Sequence, residues 1–378
     1  MTDRLFMHIG MMKSGTTYIQ NMCDRNADAL RDFGLLWLGG SAEQQAAAVN
    51  EFRHAETTMP DQVGAWDGLR QQAARHPGDA LLSHELLASL PAQRVRPFLE
   101  ALQAAETTVI ITVRDLSRVI PSRWQETTQN RGTTSWADYL DAVCSDRTDS
   151  DVHRNFWRQA DVGKVLRNWS AVVPPERIKL VTVPPSTAER GELWRRFASI
   201  IGSTPELSAA TKAFGNISLG AVSAELMLRM NTRVDDLTWP AYRMGFKAGM
   251  AKRGLAKRAR SEPRVHFPAD RWGWVEERTD RMIAEIKAVG PVVVGDLDEL
   301  IPVPASSDVP GLDWAPSDAE LLDAALDGLE ALGRQLADAR LQLRAPPAGS
   351  ADVPEPPAPS WLRRARAAAR RRIPVARR

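Results

Sequence analysis

Short apolar runs recur along most of the chain and are separated by turn or polar residues. Runs of this kind are typical of strands buried on both faces of a sheet. Five are predicted, namely RLFMHI (4–9), DALLS (79–83), TTVIITV (107–113), IKLVTV (178–183) and PVVVGDL (291–297). The segments between them have helical periodicity, most clearly 16–32, 63–75, 87–104, 117–129, 155–172, 193–201, 222–231 and 272–289. Strands that alternate with helices predict an α/β fold, in which a mostly parallel sheet is flanked by helices on both faces.

The pattern changes near residue 305 and divides the chain into three predicted parts. Residues 1–305 form the α/β domain, residues 306–345 a C-terminal amphipathic helical segment, and residues 346–378 a Pro-rich linker with an Arg-rich tail. The linker is rich in proline and poor in apolar residues, which predicts an extended segment without a core of its own.

The helical segment, residues 317–344, has leucines at heptad spacing. The leucines are seven residues apart, at positions 322, 329, 336 and 343. This spacing is compatible with two arrangements: a helix that docks on its own domain, or a coiled coil between two copies of the chain. A homodimer is therefore one of the open alternatives.

Charge is distributed unevenly along the chain. Eight arginines and no acidic residue lie in residues 361–378, so the net charge of +2 leaves −6 for residues 1–360. The body is mildly acidic, which does not favour specific binding of nucleic acid. The tail is expected to associate weakly with a membrane surface or another anionic partner.

The cysteines and the apolar segments favour a cytoplasmic protein. The chain has two cysteines, Cys23 and Cys144, which is too few for a disulfide framework and fits free thiols in a reducing compartment. The N-terminus lacks the features of a signal peptide, and no apolar run reaches the length of about 18 residues that spans a membrane.

The segment GMMKSGTT, residues 10–17, follows the first predicted strand and opens a predicted helix. Gly10, Gly15 and Thr17 have the spacing of a phosphate-binding P-loop, in which backbone N–H groups and a helix N-terminus hold phosphate. Thr16, however, occupies the position of the usual lysine. The lysine of this segment, Lys13, lies inside the loop.

A second segment, VIITVRDLSRVIPSRWQ (109–125), combines a strand, a turn and a helix. Arg114 ends the strand and Ser122 follows eight residues later on the helix. The guanidinium of Arg114 is a planar fork suited to phosphate, and the hydroxyl of Ser122 adds a further hydrogen-bonding group.

Together these two segments resemble the sulfotransferases that use 3′-phosphoadenosine 5′-phosphosulfate (PAPS), in particular their bacterial members, which have a P-loop nucleoside-triphosphate-hydrolase-like fold. Residues 12–18, MKSGTTY, are similar to the family's Pro-Lys-Ser-Gly-Thr-Thr-Trp loop, with methionine and tyrosine in place of proline and tryptophan. The resemblance implies that one set of residues binds the 5′-phosphosulfate and a second set the 3′-phosphate. The first set is Lys13, Ser14, Gly15, Thr16 and Thr17, and the second is Arg114 and Ser122.

The implied activity is transfer of a sulfuryl group from PAPS to a hydroxyl, with an amine as the second choice, on a small-molecule or glycan acceptor. The resemblance places Lys13 beside the oxygen that bridges sulfate and phosphate, where charge develops as the S–O bond breaks. A sulfuryl group carries less charge than a γ-phosphate, so no metal is expected to be required. The alternatives are a P-loop kinase or NTPase, and a non-catalytic adaptor that retains the nucleotide fold.

The segment DALLSHELLASLP, residues 79–91, offers two candidates for the base that takes the acceptor's proton. Both His84 and Glu85 follow a predicted strand, and neighbouring residues at a strand end point in opposite directions. Cytosolic members of the family use a histidine in a comparable region, whereas many bacterial members use a glutamate. We favour Glu85, with His84 as the alternative.

The stretch 243–264 is dense in lysine and arginine. It is either a solvated basic loop or a clamp on the cofactor or on an acidic acceptor. The resemblance implies a late Arg-Lys-Gly segment at the 3′-phosphate, of which no clear copy occurs here. Because both phosphate motifs and the candidate base precede residue 123, residues 306–378 are expected to be dispensable for cofactor binding.

Overall fold

The fold is an α/β architecture built on one six-stranded parallel sheet. The computed structural model describes residues 2–54, 59, 62–145, 148–202, 218–304 and 315–344. The strands are β1 (Arg4–His8), β2 (Leu35–Trp37), β3 (Asp79–Ser83), β4 (Glu106–Val113), β5 (Ile178–Thr182) and β6 (Val292–Val294). They lie in the order β2-β3-β1-β4-β5-β6, and every neighbouring pair is parallel.

Helices connect the strands and follow the last of them. They are α1 (Thr16–Arg25), α2 (Ala27–Asp32), α3 (Ala42–Arg53), α4 (Ala65–Arg75), α5 (Ala92–Leu102), α6 (Leu116–Gln129), α7 (Trp136–Cys144), α8 (Asp151–Ala160), α9 (Val162–Ser170), α10 (Glu192–Ile201), α11 (Ala221–Asn231), α12 (Trp239–Tyr242), α13 (Trp272–Val289) and α14 (Asp318–Arg344). A π-helix, Arg243–Gly254, follows α12 directly. In the described ranges, none of these helices has both the length and the apolar character that crossing a bilayer requires.

The sheet is buried on both faces. Successive residues of β1 point to opposite faces, yet Leu5, Phe6 and Met7 are all buried. On one face, Phe6 belongs to a core cluster that includes Ile19 of α1 and Phe197 of α10. The prediction of a parallel sheet covered by helices is compatible with this arrangement, and all five predicted strands are present.

The differences from the predicted elements have local causes. Strand β2 was not predicted, although it lies in the apolar run LLWL (35–38) between glycines, and Leu35 and Trp37 are buried. The helix predicted over 155–172 is two helices that meet at Asp161. The Asp161 carboxylate accepts the backbone N–H of Lys164, so this residue caps a new helix instead of continuing the old one.

The C-terminal helix is present over almost the predicted range, but a different face of it is buried. The chain divides into two compact units, Met1–Ala331 and Leu332–Arg378, with the boundary inside α14. In the first unit, Leu321 and Ala324 are buried, whereas the heptad leucines Leu322 and Leu329 are 62% and 63% exposed. Self-association through the heptad leucines remains a prediction, and the linker and tail (345–378) lie outside the described residues.

The first part of α14 lies against the π-helix at a close approach of two glycines. A β-carbon on Gly254 would lie 3.5 Å from the Cα of Gly328 and 2.9 Å from the Cβ of Ala331. A side chain at Gly254 would therefore push the two helices apart, and glycine permits the contact.

An ion-pair network reinforces this contact. Arg258 donates to Asp327 at 2.5 Å and to Asp323 at 2.8 Å, both on α14, and to Glu262 at 2.6 Å. The buried Glu262 carboxylate in turn accepts the backbone N–H and the hydroxyl of Ser223, in the first turn of α11. Arg258 thus joins α14 to α11.

Arg258→Met is expected to lower the free energy of unfolding by about 3 kcal/mol, because it leaves the buried carboxylate of Glu262 without its cation. Urea denaturation measures the change. Arg281→Met is the matched control: its ion pair with Glu277 is 3.7 Å long and exposed, so the expected loss is under about 0.5 kcal/mol. Equal losses in the two variants would show that the Arg258 network does not stabilise the fold.

Candidate functional site

The three sequence motifs meet at the carboxyl ends of adjacent strands. The loop from Ile9 to Gly15 follows β1, His84 and Glu85 follow β3, and Arg114 follows β4. Strand β1 lies between the other two. The chain leaves β1 towards one edge of the sheet and later returns to the other side at β4, so the crevice between β1 and β4 is a topological switch point. Ligands of open α/β sheets bind outside the strand ends at such points.

The loop is fixed to β4 by backbone and side-chain contacts. Its first residues continue the ladder, since the N–H of Ile9 donates to the carbonyl of Ile110 at 2.9 Å and that of Met11 to Thr112 at 2.9 Å. On the other side, Nη1 of Arg114 donates to the carbonyl of Lys13 at 3.4 Å. The Lys13 and Arg114 motifs are therefore direct neighbours.

A buried polar layer lies beneath the loop. His8 Nδ1 is 2.7 Å from the hydroxyl of Ser83, and its Nε2 is 3.1 Å from that of Thr112. Thr112 also pairs at 2.7 Å with the hydroxyl of Ser14, which donates to the carbonyl of Met11. Burial lowers the pKa of His8 to about 3, so the imidazole is neutral at pH 7. The Ser14 hydroxyl, predicted to contact the cofactor, is held in this layer.

Gly10 is required by the close packing of this layer. A β-carbon there would lie 2.3 Å from Oγ1 of Thr112, 2.6 Å from Oγ1 of Thr16 and 2.7 Å from Nε2 of His8. Gly15, at the other end of the loop, has φ +90° and caps α1. The conformation of the loop therefore requires glycine at both positions.

The first turn of α1 contains hydrogen-bond donors without partners in the described residues. No side chain caps this helix N-terminus, as far as the described residues show. Oγ1 of Thr16 is buried and has no hydrogen-bond partner in the described part of the chain. Thr17 is exposed at the same turn. The unsatisfied N–H groups of a helix N-terminus attract anions, and the hydroxyl of Thr16 adds a further donor.

Lys13 adopts a strained backbone conformation. Its φ of 64° lies in the left-handed region, which costs a non-glycine residue about 1–2 kcal/mol. Burial lowers the pKa of its ammonium group, Glu126 opposes that effect, and Arg123, Arg114 and Lys252 add to it. A strained cation among other cations is characteristic of a site that holds an anion.

Arg114 is half-buried, and its guanidinium has unused hydrogen-bonding capacity. Its Nε has no partner within the described ranges. Burial and the neighbouring Arg118 lower its pKa to about 10, against the opposing effect of Asp115, so it remains a cation at pH 7. Ser122 is half-buried on α6, four residues from both Arg118 and Glu126 and hence on their helix face. No described contact joins Ser122 to Arg114.

The two candidate bases lie in different environments. His84 is buried, and its Nδ1 accepts the backbone N–H of Leu86 at 3.1 Å, which caps the short 3₁₀ helix Glu85–Leu87. Burial lowers its pKa, with Glu85 opposing and Arg53 adding to the effect. Glu85 is half-buried and is the first residue of that 3₁₀ helix. A neutral histidine that accepts at Nδ1 carries its proton at Nε2 and cannot accept another there.

Sequence reasoning missed several charged residues of the site. Arg123 and Glu126 form an ion pair of 2.5 Å on α6, and Glu126 has a lowered pKa because Lys13, Arg123 and Lys247 outweigh its burial. The sequence feature that could have identified Glu126 is its position on α6, one helical turn after Ser122. No cluster of three or more His, Cys, Asp or Glu that fits a metal ion occurs in the described residues.

Lys13→Gly is expected to be about 1 kcal/mol more stable than Lys13→Ala, because glycine adopts the left-handed conformation without a penalty. The free energy of unfolding in urea gives the difference. At Lys164, an exposed position in the first turn of α9, the order should reverse, since glycine is unfavourable in a helix. If the two Lys13 variants were equally stable, the loop would relax when the lysine is removed.

Neither a protein-family model nor a curated protein matches the chain.

Proposed function

We propose that the chain is a PAPS-dependent sulfotransferase with the P-loop type of α/β fold. The observation that carries the proposal is the position of two half-buried cations, Lys13 and Arg114, at the switch point of the sheet, where the Arg114 guanidinium contacts the Lys13 carbonyl. Two buried polar atoms of these motifs, Thr16 Oγ1 and Arg114 Nε, have no partner in the described residues. A ligand with two separated anionic groups would satisfy both positions, as the 5′-phosphosulfate and the 3′-phosphate of PAPS do.

The proposed roles follow from these positions. Gly15, Thr16 and Thr17 bind the 5′-phosphosulfate through the helix N-terminus and the Thr16 hydroxyl, and Arg114 binds the 3′-phosphate with Ser122. When bound, PAPS supplies a sulfuryl group whose bond to the bridging phosphate oxygen breaks as the acceptor oxygen bonds to sulfur. The Lys13 ammonium stabilises the negative charge that remains on the bridging oxygen.

Glu85 is the proposed base. The capping contact of His84 occupies its Nδ1 lone pair and leaves a proton on Nε2, so the imidazole is not available to accept the acceptor's proton. The carboxylate of Glu85 is half-buried at the same strand end. It would take the proton as the acceptor oxygen bonds to sulfur.

A kinase or NTPase is the alternative to be excluded by experiment, since a helix N-terminus also binds triphosphates. The position of the usual P-loop lysine is occupied by Thr16, and Lys13 lies in the loop instead. Calorimetry with adenosine 3′,5′-bisphosphate, ATP and GTP, each with and without Mg²⁺, separates the two functions. Preference for ATP with Mg²⁺ over the bisphosphate would contradict the proposal.

Arg114→Ala is expected to weaken binding of adenosine 3′,5′-bisphosphate by about 2–3 kcal/mol, or about 30- to 150-fold, because a buried charge-assisted contact is lost. Lys13→Ala should instead lower turnover by about 10²–10³-fold with a smaller effect on binding. Arg167→Ala, which removes an exposed arginine of α9, should leave both unchanged. Normal binding by Arg114→Ala would exclude it from the 3′-phosphate site.

Glu85→Gln should lower turnover with PAPS by about 10²–10⁴-fold while binding of the bisphosphate is retained. His84→Asn keeps an oxygen that can cap the 3₁₀ helix and removes the imidazole, so its turnover should fall by less than about tenfold. Single-turnover transfer of labelled sulfate measures both variants. The reverse order of the two losses would assign the base to His84.

A further inference from the structure

The buried polar layer beneath the loop is a linear chain of hydrogen bonds. It runs from Ser83 through His8 and Thr112 to Ser14, and it ends on the carbonyl of Met11. The four side chains are fully buried, and they make no other polar contact in the described residues. Each proton of the chain must therefore serve one of these contacts, because the groups are shut off from solvent.

The surroundings of His8 favour a neutral imidazole. Its ring packs edge-on against that of Phe197, with 5.2 Å between the centroids. No carboxylate pairs with it within the described ranges. An imidazolium would place an unpaired charge in a fully buried position, which is costly. His8 therefore has one N–H donor and one acceptor nitrogen.

The contact with Met11 sets the direction of the chain. A carbonyl oxygen can only accept, so the single proton of the Ser14 hydroxyl points to Met11. Thr112 must then donate to Ser14, and because its one proton is used, its oxygen accepts the Nε2–H of His8. The free lone pair on Nδ1 of His8 in turn accepts the hydroxyl proton of Ser83. Four protons thus fill four contacts.

Both donors of Ser14 are used on the same carbonyl. Its backbone N–H donates to Met11 at 3.2 Å, and its hydroxyl donates to the same oxygen. These bonds close the turn of residues 11–14, in which Lys13 has the third position and a φ of 64°. A type II turn has a positive φ at this position, which glycine usually occupies. The Ser14 hydroxyl therefore stabilises a turn that a lysine alone would disfavour.

The same count leaves the Ser14 hydroxyl without a proton for a ligand. The sequence resemblance implies Ser14 among the residues that bind the 5′-phosphosulfate. An oxygen whose proton is used elsewhere offers only lone pairs, which an anion does not bind. Thr16 differs, since its buried Oγ1 has no partner in the described part of the chain and its proton is available.

We propose that His8 is a positioning residue of this site: in its Nε2–H form it directs the Ser14 hydroxyl to Met11 and so fixes the turn that carries Lys13. The inference rests on the proposed sulfotransferase function, in which this turn keeps the Lys13 ammonium at the bridging oxygen. Thr16, and not Ser14, then supplies the buried hydroxyl that binds the 5′-phosphosulfate.

The tautomer is tested first, on the full chain without ligand. NMR of protein labelled with ¹⁵N-histidine reports which ring nitrogen carries the proton, and His8→Gln identifies the His8 signals by their loss. We expect a proton on Nε2 and none on Nδ1. Thr112→Val removes the acceptor of Nε2–H, so the Nε2 signal should shift or give way to the Nδ1–H form, whereas Thr112→Ser keeps the hydroxyl and should keep the parent tautomer.

Ser83→Ala decides the same question if Thr112→Val does not fold. It removes the donor to Nδ1 of His8, so the Nδ1 signal should shift while Nε2 stays protonated. A proton on Nδ1 in the parent protein would reverse the chain and overturn the inference. His8 signals that neither variant changes would overturn it as well.

Binding of adenosine 3′,5′-bisphosphate then distinguishes Ser14 from Thr16. Ser14→Ala should bind the bisphosphate within about twofold of the parent protein, since its hydroxyl gives no proton to the ligand. Thr16→Val, the matched variant in the same loop, should bind about 5- to 10-fold more weakly because a donor is lost. In single-turnover transfer of labelled sulfate, Ser14→Ala should be at least about tenfold slower, because the Lys13 turn relaxes.

The outcomes of the binding test are separable from those of the proposed function. Equal weakening by Ser14→Ala and Thr16→Val would place the Ser14 hydroxyl on the ligand, and parent-like transfer by Ser14→Ala would show that the turn does not depend on it. Either result overturns the inference, and thermal unfolding verifies that the variants are folded. If the parent protein binds no bisphosphate, the proposed function fails, whereas the NMR signals still decide the direction of the chain.

Discussion

The hydrogen bonds of His8 to Ser83 and Thr112 are the contacts on which the site depends. They join β3, β1 and β4 immediately below the loop and are extended to the loop itself by Ser14. Because all four side chains are fully buried, an unpaired member would carry the full cost of desolvation, so the layer is stable only when complete. The strained backbone of Lys13 persists because this layer and the ladder to β4 fix the loop on both sides of it.

The crevice also contains several cations that are partly or fully buried. Lys13, Arg114 and Arg123 are buried or half-buried, and the pKa values of Lys13 and Arg114 are lowered by that burial. Glu126 opposes the effect of burial on the Lys13 pKa, and Asp115 opposes it on the Arg114 pKa, but the pKa of each cation remains lowered. Stability is therefore reduced at this crevice, and the anionic ligand of the proposed function would restore it.

Much of the sheet was predictable because buried parallel strands are continuous apolar runs, and the Lys13 and Arg114 motifs lie directly after two of them. The differences are a strand that was missed and two helices where one was predicted. Strand β2 is only three residues long, and Asp161 ends one helix by capping the next. Glu126 escaped notice because its importance arises from its interaction with Lys13, more than one hundred residues earlier in the chain.

The contact of α14 with the π-helix affects the order in which parts of the protein fold during synthesis. Chains emerge from synthesis with the N-terminal part first, and domains fold as the necessary partners appear. The Lys13 loop and Arg114 can assemble once β4 is complete. The segment that carries Lys247 acquires its supporting helix only after Gly328 and Ala331 have been synthesised. The Lys13 loop can thus be in place while the π-helix still lacks its support from α14.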